Sequence, residues 1–209
     1  MTAYKPIRIL TVDDHPVLRE GIAAILSGEQ DMVLVAEASN GREAIEQFRV
    51  HHPDITLMDL QMPVMSGSEA IAAIRKDFPD ARIIVLTTYS GDAQAGRAFK
   101  AGAYGYLLKS MLRKELVETI RTVHAGRKRM PPEIAVELVE HRAEDALSER
   151  EIGVLRQLVS GNSNKMIADN LGLSEETIKA HMRSILSKLG ANDRTHALAI
   201  ALKRGIIEI

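Results

Sequence analysis

The chain contains no cysteine and no tryptophan, and aromatic residues make up only 3% of its 209 positions. Without thiols, neither a disulfide framework nor a thiolate-ligated metal site can be built. With so few flat rings, a base-stacking platform for single-stranded nucleic acid is disfavoured. No run of about 18 apolar residues occurs, so no membrane-spanning helix and no membrane partner are expected. The opening Met1-Thr-Ala-Tyr-Lys-Pro6 lacks the apolar stretch and small-residue cleavage site of an export signal, and a cytoplasmic location is expected. A dominant charge is also missing. Residues 1–125 carry 14 Lys and Arg against 16 Asp and Glu, and residues 146–209 carry 9 against 7. That lean is too small to announce a nucleic-acid partner by itself.

What is present is apolar content of 45%, enough for two domains with a core each at this length. The first 125 residues alternate strand and helix. Ile7–Val12, Met32–Ala36, the run from Ile55 to Asp59, Arg82–Thr87 and Tyr104–Leu108 are short, apolar and bounded by turn residues, as buried parallel strands are. Between them, helical spacing of apolar residues (Val17, Leu18, Ile22, Ile25 and Leu26 in the first case) predicts helices, with a last one over about 111–125. Such alternation implies an α/β doubly wound parallel sheet with right-handed crossovers.

In sheets of that kind the ligand crevice lies at the carboxyl ends of the strands. Asp13 and Asp14 follow the first strand, Asp59 ends the third, Thr87 ends the fourth and Lys109 follows the fifth. All five are therefore expected on one rim. Charges that close together in a partly buried place need compensation, and three carboxylates with a hydroxyl and an ammonium suit a hard divalent cation and a phosphoryl group. Mg2+, with Mn2+ as a substitute, would be held by Asp13 or Asp14, by Asp59 and by the Gln61 backbone carbonyl. Asp59 can then act as a nucleophile on phosphorus, with Lys109 stabilising the transferring oxygens.

This constellation, with Asp59 inside Met58-Asp-Leu-Gln-Met-Pro-Val-Met-Ser-Gly67, resembles the receiver domain of two-component response regulators. The resemblance implies a flavodoxin-like strand order 2-1-3-4-5, phosphorylation of Asp59 by a sensor histidine kinase, and Mg2+ on Asp13 and Asp14. It further implies a switch in which the Thr87 hydroxyl and the Tyr106 ring respond to the phosphoryl group. Ser110 stands where many receivers carry Pro, and Gln61 and Tyr89 flank the site.

Residues 126–145 read as a linker. Gly126-Arg-Lys-Arg-Met-Pro-Pro132 is a solvated basic break, and Pro131–His141 can form a short helix. From 146 to 209 the pattern is all-α, with four helices. Ser148 and Glu151 form a capping box, Asn164–Asn170 is short, Gly172 makes a turn, and Ser174 caps a longer helix through Ile178, Met182, Ile185 and Leu189. A short helix, a turn and a longer helix make a helix-turn-helix, whose second helix enters the major groove.

Leu147-Ser-Glu-Arg-Glu151, Gly161-Asn-Ser-Asn-Lys-Met-Ile-Ala168 and Leu173-Ser-Glu-Glu-Thr-Ile-Lys-Ala-His181 resemble the LuxR-type helix-turn-helix. The whole chain is thus similar to the NarL/FixJ family of response regulators. The resemblance implies double-stranded DNA with paired half-sites as a partner, with Lys179, Ala180 and Arg183 facing bases. Asn164, Lys165, Ser174 and Thr177 would touch backbone, and His181 would sit at phosphate. Ala197, Leu198 and Ala201 would pair two copies as a homodimer on activation. No substrate other than its own Asp59 is expected, so the chain is not read as an enzyme. A constitutive DNA-binding dimer and a stand-alone aspartyl-intermediate phosphatase are the alternatives. All the key positions being chemically competent argues against the first, and the lack of a cap or second catalytic acid argues against the second.

Overall fold

The computed structural model describes residues 5–88, 91–132, 134–136 and 147–207, which fall into a sheet-based unit and an all-helical unit. The sheet has five strands, β1 (Ile7–Val12), β2 (Met32–Ala38), β3 (Ile55–Asp59), β4 (Ile83–Thr87) and β5 (Gly105–Leu108). All pairs are parallel, in the order β2-β1-β3-β4-β5. Every residue of β3 and β4 is buried, which explains why these strands read as unbroken apolar runs rather than as alternating ones. Ile55 and Leu57 join Ile22 and Leu26 of α1 (Pro16–Ser27) and Leu116, Ile120 and Val123 of α5 (Leu112–His124) in one core. Thr56 and Met58 point the other way along the same strand and are equally buried.

Local chemistry sets the helix boundaries. Pro16 occupies the first turn of α1, where a missing N–H is harmless. The Asn40 side chain accepts from Arg42 N–H and Glu43 N–H to start α2 (Gly41–His51), which ends where His52 turns left-handed at φ 42° before Pro53. α3 (Gly67–Asp77) begins with a Ser66/Glu69 capping box, α4 spans Asp92–Ala101, and a 3-10 turn over Lys109–Met111 leads into α5. Gly67 brings the loop after β3 back onto its own strand. Its N–H donates to Leu60 O at 3.0 Å, and a Cβ there would overlap the Asp59 carbonyl oxygen.

Part of the expected solvated break is tied down. Tyr106 N–H donates to Arg129 O and Arg129 N–H to Tyr104 O, both at 3.0 Å, so residue 129 covers the free edge of β5. The Arg129 guanidinium reaches Glu118 at 2.8 Å and Glu115 at 3.3 Å on α5. Most of the linker helix expected over Pro131–His141 lies outside the described residues, as does Tyr89.

The helical unit contains α6 (Glu149–Val159), α7 (Asn164–Leu171), α8 (Glu175–Leu189) and α9 (Arg194–Lys203) among the described residues. Val154, Leu155, Leu158, Ile167, Ile178 and Ile185 form its core. No helix of the described residues is long and apolar enough to cross a membrane.

Candidate functional site

The strand registers put the ends of β1, β3, β4 and β5 level. Val12 pairs with Met58, Asp59 with Leu86, and Thr87 with Leu108. The residues that follow therefore meet on one rim. Lys109 Nζ sits 2.8 Å from both Asp13 Oδ2 and Asp59 Oδ2. Asp13 is fully buried and Asp59 nearly so, while Asp14 lies at the margin. The Asp59 Oδ1 atom accepts only a long bond, 3.3 Å, from Gln61 N–H. Arg19 holds the backbone beneath by donating to Asp13 O at 2.6 Å.

The charges do not balance. Three carboxylates face one ammonium, which leaves the cluster two positive charges short. Burial pushes the Asp59 carboxyl above its ordinary range, and although Lys109 pulls it back, the neighbouring Asp13 charge adds to the rise. Burial opposes the charged form of Lys109, but its bonds to Asp13 and Asp59 outweigh that and hold its pKa above the usual lysine range. The buried oxygens Asp13 Oδ2 and Asp14 Oδ1 each face a single nitrogen, Lys109 Nζ at 2.8 Å for the first and His15 Nδ1 at 2.9 Å for the second. One ligand atom each from Asp13, Asp14, His15 and Asp59 falls within 4.8 Å of the others. Oxygen donors of this number and charge fit a hard divalent cation such as Mg2+, which would neutralise the surplus.

Beside the cluster, Thr87 and Tyr106 are both buried, at 2% and 1% exposure, so the ring is turned into the protein. A hydrogen bond joins their hydroxyls, and burial pushes the Tyr106 phenol up to about 12. The peptide of Tyr106 is the one bonded to Arg129, so this aromatic connects the rim to the segment that follows α5.

In the helical unit, Gly172 closes α7 at φ 65°, a left-handed turn that a side chain would strain, and Ser174 caps α8 by accepting from Thr177 N–H at 3.1 Å. The Ser174 and Thr177 hydroxyls are also paired, at 2.9 Å. Lys179, Ala180 and Arg183 are exposed along α8, Lys165 is exposed on α7, and Asn164 and His181 are half-buried. The α8 helix is anchored by a buried carboxylate. Glu151 accepts from Ser148 N–H at 2.7 Å within its capping box, from Ser184 Oγ at 2.6 Å and from Lys188 Nζ at 2.8 Å. Burial alone would raise this carboxyl, yet the bonds from Lys188, Ser184 and Ser148 hold it down at about 2.

Residues 9–121 match the family model of the response regulator receiver domain, and residues 145–201 match that of the bacterial regulatory proteins, luxR family. The chain belongs to the LuxR-type two-component response regulators. This response regulator is 40% identical over 210 residues to the transcriptional regulatory protein YdfI of Bacillus subtilis (strain 168), an alignment covering 97% of this chain and 98% of that protein. It is 37% identical over 207 residues to the response regulator protein VraR of Staphylococcus aureus, covering 97% and 99%. Among solved structures, it resembles the two-component response regulator RcsB in complex with DNA, with a TM-score of 0.70 at 26% identity over 95% of this chain and 99% of that one.

In the response regulator, Asp13, Asp14, Asp59 and Lys109 meet on the rim, Thr87 ends the strand beside them and Gln61 adjoins Asp59. Of the three residues expected at a dimer contact, Ala197 and Ala201 are fully buried in the core of their own unit. Of the three, only Leu198 is partly exposed. Three participants went unread in the sequence. His15 adjoins both acids of the first strand's end, and Ser184 and Lys188, the partners of Glu151, lie on α8, where no local signature points back to α6.

Proposed function

We propose that this response regulator is phosphorylated on Asp59 by a sensor histidine kinase and that the phosphorylated form binds DNA as a homodimer to regulate transcription. The observation that carries this reading is the position of Lys109, 2.8 Å from Asp59 and from Asp13, beside a carboxylate cluster that one divalent cation would neutralise. In the transfer, an Asp59 oxygen bonds to phosphorus as the bond to the donor's leaving group breaks. Asp13, Asp14, Asp59 and the Gln61 carbonyl would hold Mg2+, or Mn2+ in its place, which would supply charge neutralisation to the phosphoryl oxygens. Lys109 moves from Asp59 to a phosphoryl oxygen, and any later hydrolysis acts on Asp59 itself.

Thr87 and Tyr106 carry the signal. Their hydrogen bond supports a paired response, because the Thr87 hydroxyl cannot turn towards a phosphoryl group without altering its bond to Tyr106. The backbone bonds between Tyr106 and Arg129 offer a route to the linker. We assign the receiver to residues 1–125, the linker to 126–145 and the output domain to 146–209. In the output domain, the exposed Lys179, Ala180 and Arg183 read base edges, and Lys165, Asn164, Ser174, Thr177 and His181 lie against the phosphate backbone.

Footprinting across genomic DNA, with and without a phosphodonor and Mg2+, tests the proposal. Paired protected half-sites that appear or strengthen on phosphorylation are expected. Identical footprints in both conditions would instead support a constitutive binder.

A further inference from the structure

His15 is the one member of the rim cluster with no role in the reading above. It precedes α1 as the residue at the N-cap position, yet its side chain makes no capping bond. Its imidazole turns to the acids instead. His15 Nδ1 lies 2.9 Å from Asp14 Oδ1 and 3.1 Å from Asp13 Oδ1, and the His15 backbone N–H donates to Asp13 Oδ1 at 2.9 Å, fixing the turn that presents the ring.

These separations have a coordination meaning. Ligands in adjacent positions around an octahedral ion with bonds of about 2.1 Å lie about 3.0 Å apart. The nitrogen has that spacing from an oxygen of each acid, and Asp13, Asp14, His15 and Asp59 each offer one ligand atom within 4.8 Å of the others. Asp14 Oδ1, one of the oxygens facing the ring, is a buried atom. The ring is 69% exposed, so an ion can reach it without the protein opening.

We propose that His15 is an inner-sphere ligand that makes this rim a mixed nitrogen and oxygen site, selective for Mn2+ and Zn2+ over what the carboxylates alone would select. Mg2+ prefers oxygen ligands and keeps its waters, so it gains little from the imidazole. Imidazole is a favoured ligand of the later first-row ions, whose affinity for such sites rises towards Cu2+ and remains high for Zn2+. The identity of the ion at Asp59 is then set partly by residue 15. This inference rests on the reading of Asp13, Asp14 and Asp59 as the cation site.

The test uses the full chain and its His15→Phe variant, with Mg2+, Mn2+ and Zn2+ titrated calorimetrically and the Mn2+ forms examined by pulsed electron paramagnetic resonance. Folding of the variant is checked by circular dichroism and is expected to be intact, because the ring is exposed. The expected result is nitrogen modulation from a bound imidazole in the wild type that vanishes in His15→Phe. Zn2+ binding that is sensitive to Asp59→Asn should weaken about tenfold or more in His15→Phe, the scale seen when groups supporting a metal are removed, while Mg2+ affinity stays within about twofold. Mg2+ binding with no nitrogen signal, or Zn2+ affinity unaltered by His15→Phe, would overturn the His15 assignment alone. Failure of the wild type to bind Mg2+ at all would overturn the underlying reading of the acids as well.

Discussion

Replacing Glu151 by Gln should unfold the output domain early, and the size of the effect follows from the carboxylate's surroundings. The Glu151 side chain is 3% exposed and is held by Lys188, Ser184 and Ser148. Its pKa of about 2, against 4.5 for a free glutamate, corresponds to about 3 kcal/mol of preference for the charged form in the folded state. Lys188 is 31% exposed and partly screened by water, which brings the expected loss to about 2 kcal/mol. For a domain of this size that is a fall in melting temperature of roughly 10 °C. The pH dependence has a definite sign. A depressed carboxyl stabilises the fold above its unfolded value near 4.5, and the contribution fades as pH falls from there towards about 2. The gap between wild type and Glu151→Gln should therefore be full at neutral pH and close through that window. The chain supplies a convenient assay. It has no tryptophan, and its four tyrosines all lie at or before residue 106, so tyrosine fluorescence follows the receiver while far-ultraviolet circular dichroism follows both units. A shifted helical transition with an unshifted tyrosine transition is expected. A difference below about 0.5 kcal/mol, or one that is the same at pH 2.5 as at neutral pH, would refute the reasoning.

Three further outcomes follow from the same geometry. Lys109→Met leaves buried carboxylates facing one another, and in chelator it should cost the receiver about 3 kcal/mol by tyrosine-monitored urea unfolding. Added Mg2+ should narrow that gap, and equal stability in chelator would contradict the account. Tyr106→Phe removes the bond to Thr87, so labelling by a phosphodonor should persist while the phosphorylation-dependent gain in DNA affinity shrinks; an unchanged gain in a binding titration would remove Tyr106 from the switch. Arg183→Ala should cost about 1–3 kcal/mol of specific DNA affinity and relax base preference, whereas Lys165→Ala should lower the salt slope by about 1. The reverse pattern in a salt series would exchange their roles.

The receiver was legible because its chemistry is written at strand ends. Apolar runs bounded by turns located β1 and β3 to the residue, and the rule that a parallel sheet gathers ligands at its carboxyl edge brought Asp13, Asp59 and Lys109 together across almost a hundred positions. Contacts that leave no local pattern were not legible. Glu151 looked like a cap, which it is, but its bonds to Ser184 and Lys188 cross 33 and 37 residues and depend on how α6 packs on α8. The backbone bonds that hold Arg129 against β5 involve atoms common to every residue, so a basic run in sequence looked merely solvated. Ala197 and Ala201 show the ambiguity of small apolar residues on a terminal helix. Spacing alone says that a face is covered and not whether its own core or a second copy covers it.

The most direct measurement is intact-mass analysis after incubation with acetyl phosphate, comparing wild type with Asp59→Asn in Mg2+ and in chelator. The wild type should gain a single phosphoryl group only with the metal, lose it to hydroxylamine as an acyl phosphate must, and the variant should gain none. Labelling of Asp59→Asn to the wild-type extent would contradict the assignment of Asp59 as the residue through which the signal enters.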